Sequence, residues 1–93
     1  MIAINFDSKS YYVEPKFEVI CEIEEELGAT PELLVKFTRD QWKVSELVTL
    51  MHIILSYAGK TVDYVELGNS MMTEGLAVYL NFANKFLKSI IYK

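Results

Sequence analysis

Four glutamates, Glu22, Glu24, Glu25 and Glu26, crowd into five positions of the stretch FEVICEIEEELGATPELL. Carboxylates at that density suit three kinds of chemistry: holding a divalent cation, sharing protons as the acid and base of a hydrolase, or charging a docking surface. A cation site needs oxygen ligands from several elements, or Glu and His at helical spacing. The one histidine, His52, has Thr49 three positions before it, so there is no Glu-x-x-His pair. Acid–base hydrolysis needs a second carboxylate across a cleft, and nothing in the sequence places one opposite Glu24.

The other reactive types lead no further. Cys21 stands among glutamates without a basic neighbour, a setting that works against a thiolate nucleophile. Gly59-Lys60-Thr61 lacks the upstream glycine of a phosphate-binding loop, and no Gly-x-Ser-x-Gly is present. The sequence therefore predicts no catalytic residue, no metal site and no cofactor. A DNA-reading helix-turn-helix also fails, because the would-be recognition segment VDYVEL carries two acids and no base.

The elements that carry these residues follow from periodicity. Ile2, Ile4 and Phe6 alternate with Asn5, Asp7-Ser8-Lys9-Ser10 is a turn cluster, and Tyr11-Tyr12-Val13 is rich in strand formers before Pro15. This is a β-hairpin over residues 1–15. From Lys16 the period becomes helical, with Phe17, Ile20, Ile23 and Leu27 on one side and Gly28 as terminator. Thr30-Pro31-Glu32 opens a short second helix carrying Leu33, Leu34 and Phe37, which breaks between Thr38 and Lys43 around Trp42. Ser45 caps a third helix through Ala58 with Leu47, Leu50, Met51, Ile54 and Leu55 as its core stripe, closed by Gly59. Thr61 caps a fourth, Val62 to Leu67, ended by Gly68. Asn69-Ser70 opens a long fifth helix from Met71 to Ile91 whose core face is Met72, Leu76, Tyr79, Leu80, Ala83, Phe86, Leu87 and Ile90.

The expected fold is α+β, mostly α: an N-terminal hairpin (1–15) and a compact bundle of about five helices (16–93) in one domain of 93 residues. A net charge of −4 and scattered basic residues exclude a general nucleic-acid binder. There is no signal-peptide pattern and no apolar run long enough to span a bilayer, so a soluble cytoplasmic protein without membrane contact is expected.

At 100° per residue, Glu18, Glu22 and Glu25 fall opposite the apolar side of helix 1, Glu26 lies on its flank, and Glu24 sits near the apolar edge. A solvated helix face explains most of this. Yet Glu24, Glu25 and Glu26 occupy the C-terminal turn, where the helix dipole disfavours acids, and Glu18–Glu22 and Glu22–Glu26 are like-charge pairs four apart. Such local cost marks an acidic patch for a basic partner segment, with Glu22, Glu25 and Glu26 as its guides. Apolar residues left off the core stripes, Ile53, Tyr57, Val78 and Phe82, are the expected partner-contact residues.

The hairpin, the segment EVICEIEEELGATPELLVKF, the Ser-capped SELVTLMHIILSYAG, a short Thr-capped helix and a long terminal helix together resemble the tail assembly chaperones of siphophages and gene transfer agents. Some members of that family are labelled tail tube components. The likeness runs from about Ile4 to Ile91, and its most recognisable part is Glu22-Ile23-Glu24-Glu25-Glu26-Leu27-Gly28. Family hairpins often turn on Asp-Gly where this chain has Asp7-Ser8. The resemblance implies a non-enzymatic role: keeping the tape measure protein soluble while tail subunits polymerise, with tape measure or other tail proteins as partners and with self-association. It carries over no catalytic residue. The rival implication is a structural subunit built into the tail.

Overall fold

The computed structural model describes residues 2–92. Strands β1 (Ile2–Phe6) and β2 (Lys9–Val13) form an antiparallel hairpin, followed by α1 (Phe17–Leu27), α2 (Thr30–Thr38), α3 (Val44–Tyr57), α4 (Tyr64–Glu74) and α5 (Leu76–Ile91). The hairpin and five-helix architecture expected from the sequence is the one observed.

Phe6 pairs with Lys9, so only Asp7 and Ser8 make the turn. Both have positive φ, 51° and 62°, as a primed two-residue turn requires if the strands are to keep their right-handed twist. A side chain in that conformation is disfavoured, and glycine is not. Ser8→Gly should therefore stabilise the protein by about 0.5–1 kcal/mol, a rise of a few degrees in the thermal unfolding midpoint.

The hairpin is not an appendage. Ile4, Phe6 and Val13 are buried in the same core cluster as the helices, and β2 lies against α3. A two-stranded ribbon is marginal in water, so this docking holds it in place.

Helix α3 is the centre of the molecule, touching α1, α4, α5 and β2, while α5 lies across α2 and α3. With neighbours on so many sides, α3 has little solvent face. Val48 and Ile53 are buried along with Leu47, Leu50, Met51, Ile54 and Leu55. Ile53 was expected at the surface; at 4% exposure it belongs to the core.

Two other expectations change. In α1 the buried residues are Val19 and Ile23, and Phe17 is 79% exposed, so the apolar face is rotated from the one read with Phe17 in it. In the C-terminal third, Gly68 lies inside α4, and the helix breaks at Gly75, with φ 105° and ψ 125°. Gly68 lies where α4 passes Val48 of α3, and a Cβ there would make only an ordinary contact with a Val48 methyl at 3.7 Å; the residue does not end the helix. Moving the break exchanges two methionines: Met71 is fully buried and Met72 is 63% exposed.

The helix ends are held by specific acceptors. The Glu46 carboxylate at the start of α3 accepts the Lys43 backbone N–H at 2.8 Å and the Lys36 ammonium at 2.9 Å, tying α2 to α3. Those two bonds, the backbone one foremost, hold the Glu46 carboxyl below its ordinary pKa of 4.5. A depressed folded-state pKa contributes stability that is complete above the unfolded value and is lost as pH falls through the folded one. Urea unfolding of wild type and Glu46→Gln should accordingly differ by on the order of 1 kcal/mol at pH 7, and the gap should close towards pH 3.

Candidate functional site

The carboxylate cluster separates into distinct jobs once the helices are in place. The Glu24 carboxylate reaches forward to the start of α2, accepting the Thr30 N–H at 2.9 Å and the Thr30 hydroxyl at 3.2 Å. Thr30 is 5% exposed and is the first residue of α2, with Ala29 at the N-cap. Glu24 therefore supplies the acceptor that Ala29 lacks, at the positive end of the α2 dipole. It is a structural carboxylate.

Glu22 is half-buried and accepts a hydrogen bond from the Tyr57 hydroxyl at 3.0 Å, linking α1 to the end of α3 across 35 residues of sequence. That hydrogen bond, ahead of desolvation and the nearby Glu18, raises the Tyr57 phenol above its usual pKa. Glu25 and Glu26 are exposed and have no hydrogen bond or ion pair among the described residues. Among the described residues no three His, Cys, Asp or Glu side chains converge as a metal site would need, and Cys21 is exposed.

His52 is accounted for by packing. Its Nε2 lies 2.9 Å from the Val62 carbonyl; since a carbonyl only accepts, Nε2 carries the proton. Its ring meets Tyr64 edge-on at 5.9 Å. Tyr64 in turn donates to the Ser45 carbonyl at 3.2 Å. These contacts pin the α3–α4 connection and the start of α4 to α3.

The Glu22–Tyr57 link borders a concave part of the surface. A cleft of about 220 Å³ opens where β2, the connection to α1, α1 and the end of α3 meet. Tyr12, Val13, Val19 and Tyr57 form its walls, and Glu14, Lys16 and Glu18 its polar edge. Tyr12 is 59% exposed and Tyr57 39%, so two aromatic rings stand open to water beside carboxylates. Lys16 is drawn towards Glu14 at 3.8 Å.

Of the seven partner-contact residues expected from the sequence, Glu22 and Tyr57 are brought together here, and Glu25 and Glu26 follow on the same helix. Val78 and Phe82 lie elsewhere, on α5. Val78 is 58% exposed, but Phe82 is half-buried and stacks on Phe86 with centroids 6.0 Å apart. Ile53 is inside. Sequence reasoning missed Tyr12 and Phe17 as exposed aromatics: strand alternation in KSYYV could have exposed Tyr12, whereas Phe17 carried no such signal.

Among the described residues no helix is long and apolar enough to cross a membrane. Comparison with curated proteins and with solved structures returned no significant match. One protein family accounts for the whole chain: the model described as phage tail tube protein, GTA-gp10 matches residues 1–93, and the chain belongs to that family.

Proposed function

We propose that this phage tail family member is a tail assembly chaperone, acting by protein contact and not by catalysis in the cytoplasm of the bacterial host. Its client on this reading is the tape measure protein, held soluble while tail subunits assemble. The observation that carries the reading is the cleft beside Glu22. Open aromatic rings supply apolar contact, and the glutamates around them keep that surface in solution and favour a basic client segment. The second reading is a structural subunit of the tail tube, favoured by the family's own description.

Mass spectrometry of purified particles separates the two. A chaperone is absent from finished tails, while a tube subunit is present in many copies. Client binding is tested by co-expression with the tape measure protein, which should stay soluble with the wild-type chain and precipitate with a Tyr12→Ser/Tyr57→Ser double variant. Both positions are exposed, so the variant should keep its helical circular-dichroism signal. Equal solubility of the client with both forms would remove the cleft from the client contact.

A further inference from the structure

We infer that Gly75 is a hinge at which α4 and α5 can join into one straight helix, delivering α5 to the α2–α3 face of a second copy of this chain in a domain-swapped dimer. This inference is independent of the chaperone reading, since a tube subunit could do the same.

The hydrophobic pattern runs as a single helix across the observed break, and the sequence alone placed no stop at Gly75. The α4 ladder already reaches this residue, for the Gly75 N–H donates to the Met71 carbonyl at 3.0 Å. On the far side, α5 begins with no side-chain cap and no acid in its first turn. Its first N–H groups would find acceptors in the last carbonyls of α4 if the two helices were continuous. The bend rests on one residue. Gly75 has φ 105°, and nothing lies within 4 Å of where a Cβ would be, so backbone conformation and not space calls for glycine.

A latch marks the bent form. The buried Tyr79 hydroxyl donates to Glu74 Oε2 at 2.9 Å. Residues five apart on a straight helix point about 140° away from each other, so this bond exists only while Gly75 is bent. Straightened, Tyr64–Ile91 would be about 28 residues and about 42 Å long, against a body whose longest extent is 29 Å. Such a helix cannot fold back on its own α2 and α3. It carries the face of Tyr79, Ala83, Phe86 and Leu87 outward, and the surface that fits that face is the identical groove of another chain. Reciprocal exchange closes a dimer without any new interface.

Size-exclusion chromatography with light scattering on the full chain, refolded over a concentration series, tests this. Gly75→Ala should be dimeric at concentrations at least tenfold below those at which the wild type dimerises. Tyr79→Phe, which removes the latch and keeps the ring, should move the same way by less. Inserting Gly-Ser-Gly after Gly75 relaxes the bend and interrupts the straight helix, so it should restore the monomer in every background. A folded, monomeric Gly75→Ala would overturn the inference, as would a dimer that survives the insertion. If Gly75→Ala fails to fold by circular dichroism, the wild-type series decides: a dimer that grows with refolding concentration and is lost on insertion supports the hinge, and a monomer throughout overturns it.

Discussion

Ile53→Asp is expected to abolish cooperative folding. The side chain is 4% exposed on the central helix, with β2, α1, α4 and α5 packed around that helix. The substitution removes buried aliphatic volume, which alone costs about 2–5 kcal/mol. It also puts a carboxylate where the surrounding core residues are apolar, and an unpaired buried charge adds several kcal/mol more. A domain of this size has roughly 5–14 kcal/mol of total stability, with small domains towards the lower end. Val78→Asp is the matched control, since Val78 is 58% exposed on α5 and should stay within about 0.5 kcal/mol of wild type. Far-UV circular dichroism with a urea titration distinguishes them. A folded Ile53→Asp with a wild-type midpoint would mean that α3 presents this side chain to solvent after all.

The second large effect is expected at Phe37. It is 1% exposed on α2, the helix that lies across α5, and its ring meets Trp42 at 6.1 Å and 46°. Phe37→Ala should cost about 3–5 kcal/mol, because the vacated space is enclosed on several sides and can close only partly. For a domain of this size the urea midpoint should fall by roughly 2 M or more. Trp42 is the only tryptophan and is half-buried against that ring. Its emission should therefore shift to longer wavelength in the folded variant, before any unfolding. An unchanged midpoint and spectrum would show that α2 does not anchor the bundle through Phe37.

The order and kind of the elements were readable because each carries its own local chemistry: alternation in INF and YYV, proline at the α2 start, glycine past the α1 and α3 ends. The phase and the breaks were less readable, for particular physical reasons. Phe17 invites a core assignment because it falls in helical register with Ile20, Ile23 and Leu27, but at the first position of α1 it is exposed, and Val19 takes the inner position. Gly68 followed by Asn69-Ser70 has the form of a helix end and a new cap, yet Gly68 carries no positive φ and sits inside α4, where the packing of Leu67 and Met71 into the core outweighs the local signal. Ile53 looked superfluous because a stripe describes a helix with one buried side, and α3 is enclosed on several. At the candidate site, the solvated carboxylates could be placed from the helical wheel. The two engaged ones could not, since Glu24 and Glu22 owe their roles to Thr30 and Tyr57 on other elements.

The docking of the hairpin on α3 also has a consequence during synthesis. Strands β1 and β2 leave the ribosome before the helices, but α3, against which β2 lies, begins at Val44, about thirty residues after β2 ends. At roughly 5–20 residues per second, the nascent ribbon waits a few seconds with its apolar side uncovered and both edges open, marginal by itself. The hairpin is therefore made early but protected late, and its burial reports that α3 has formed behind it.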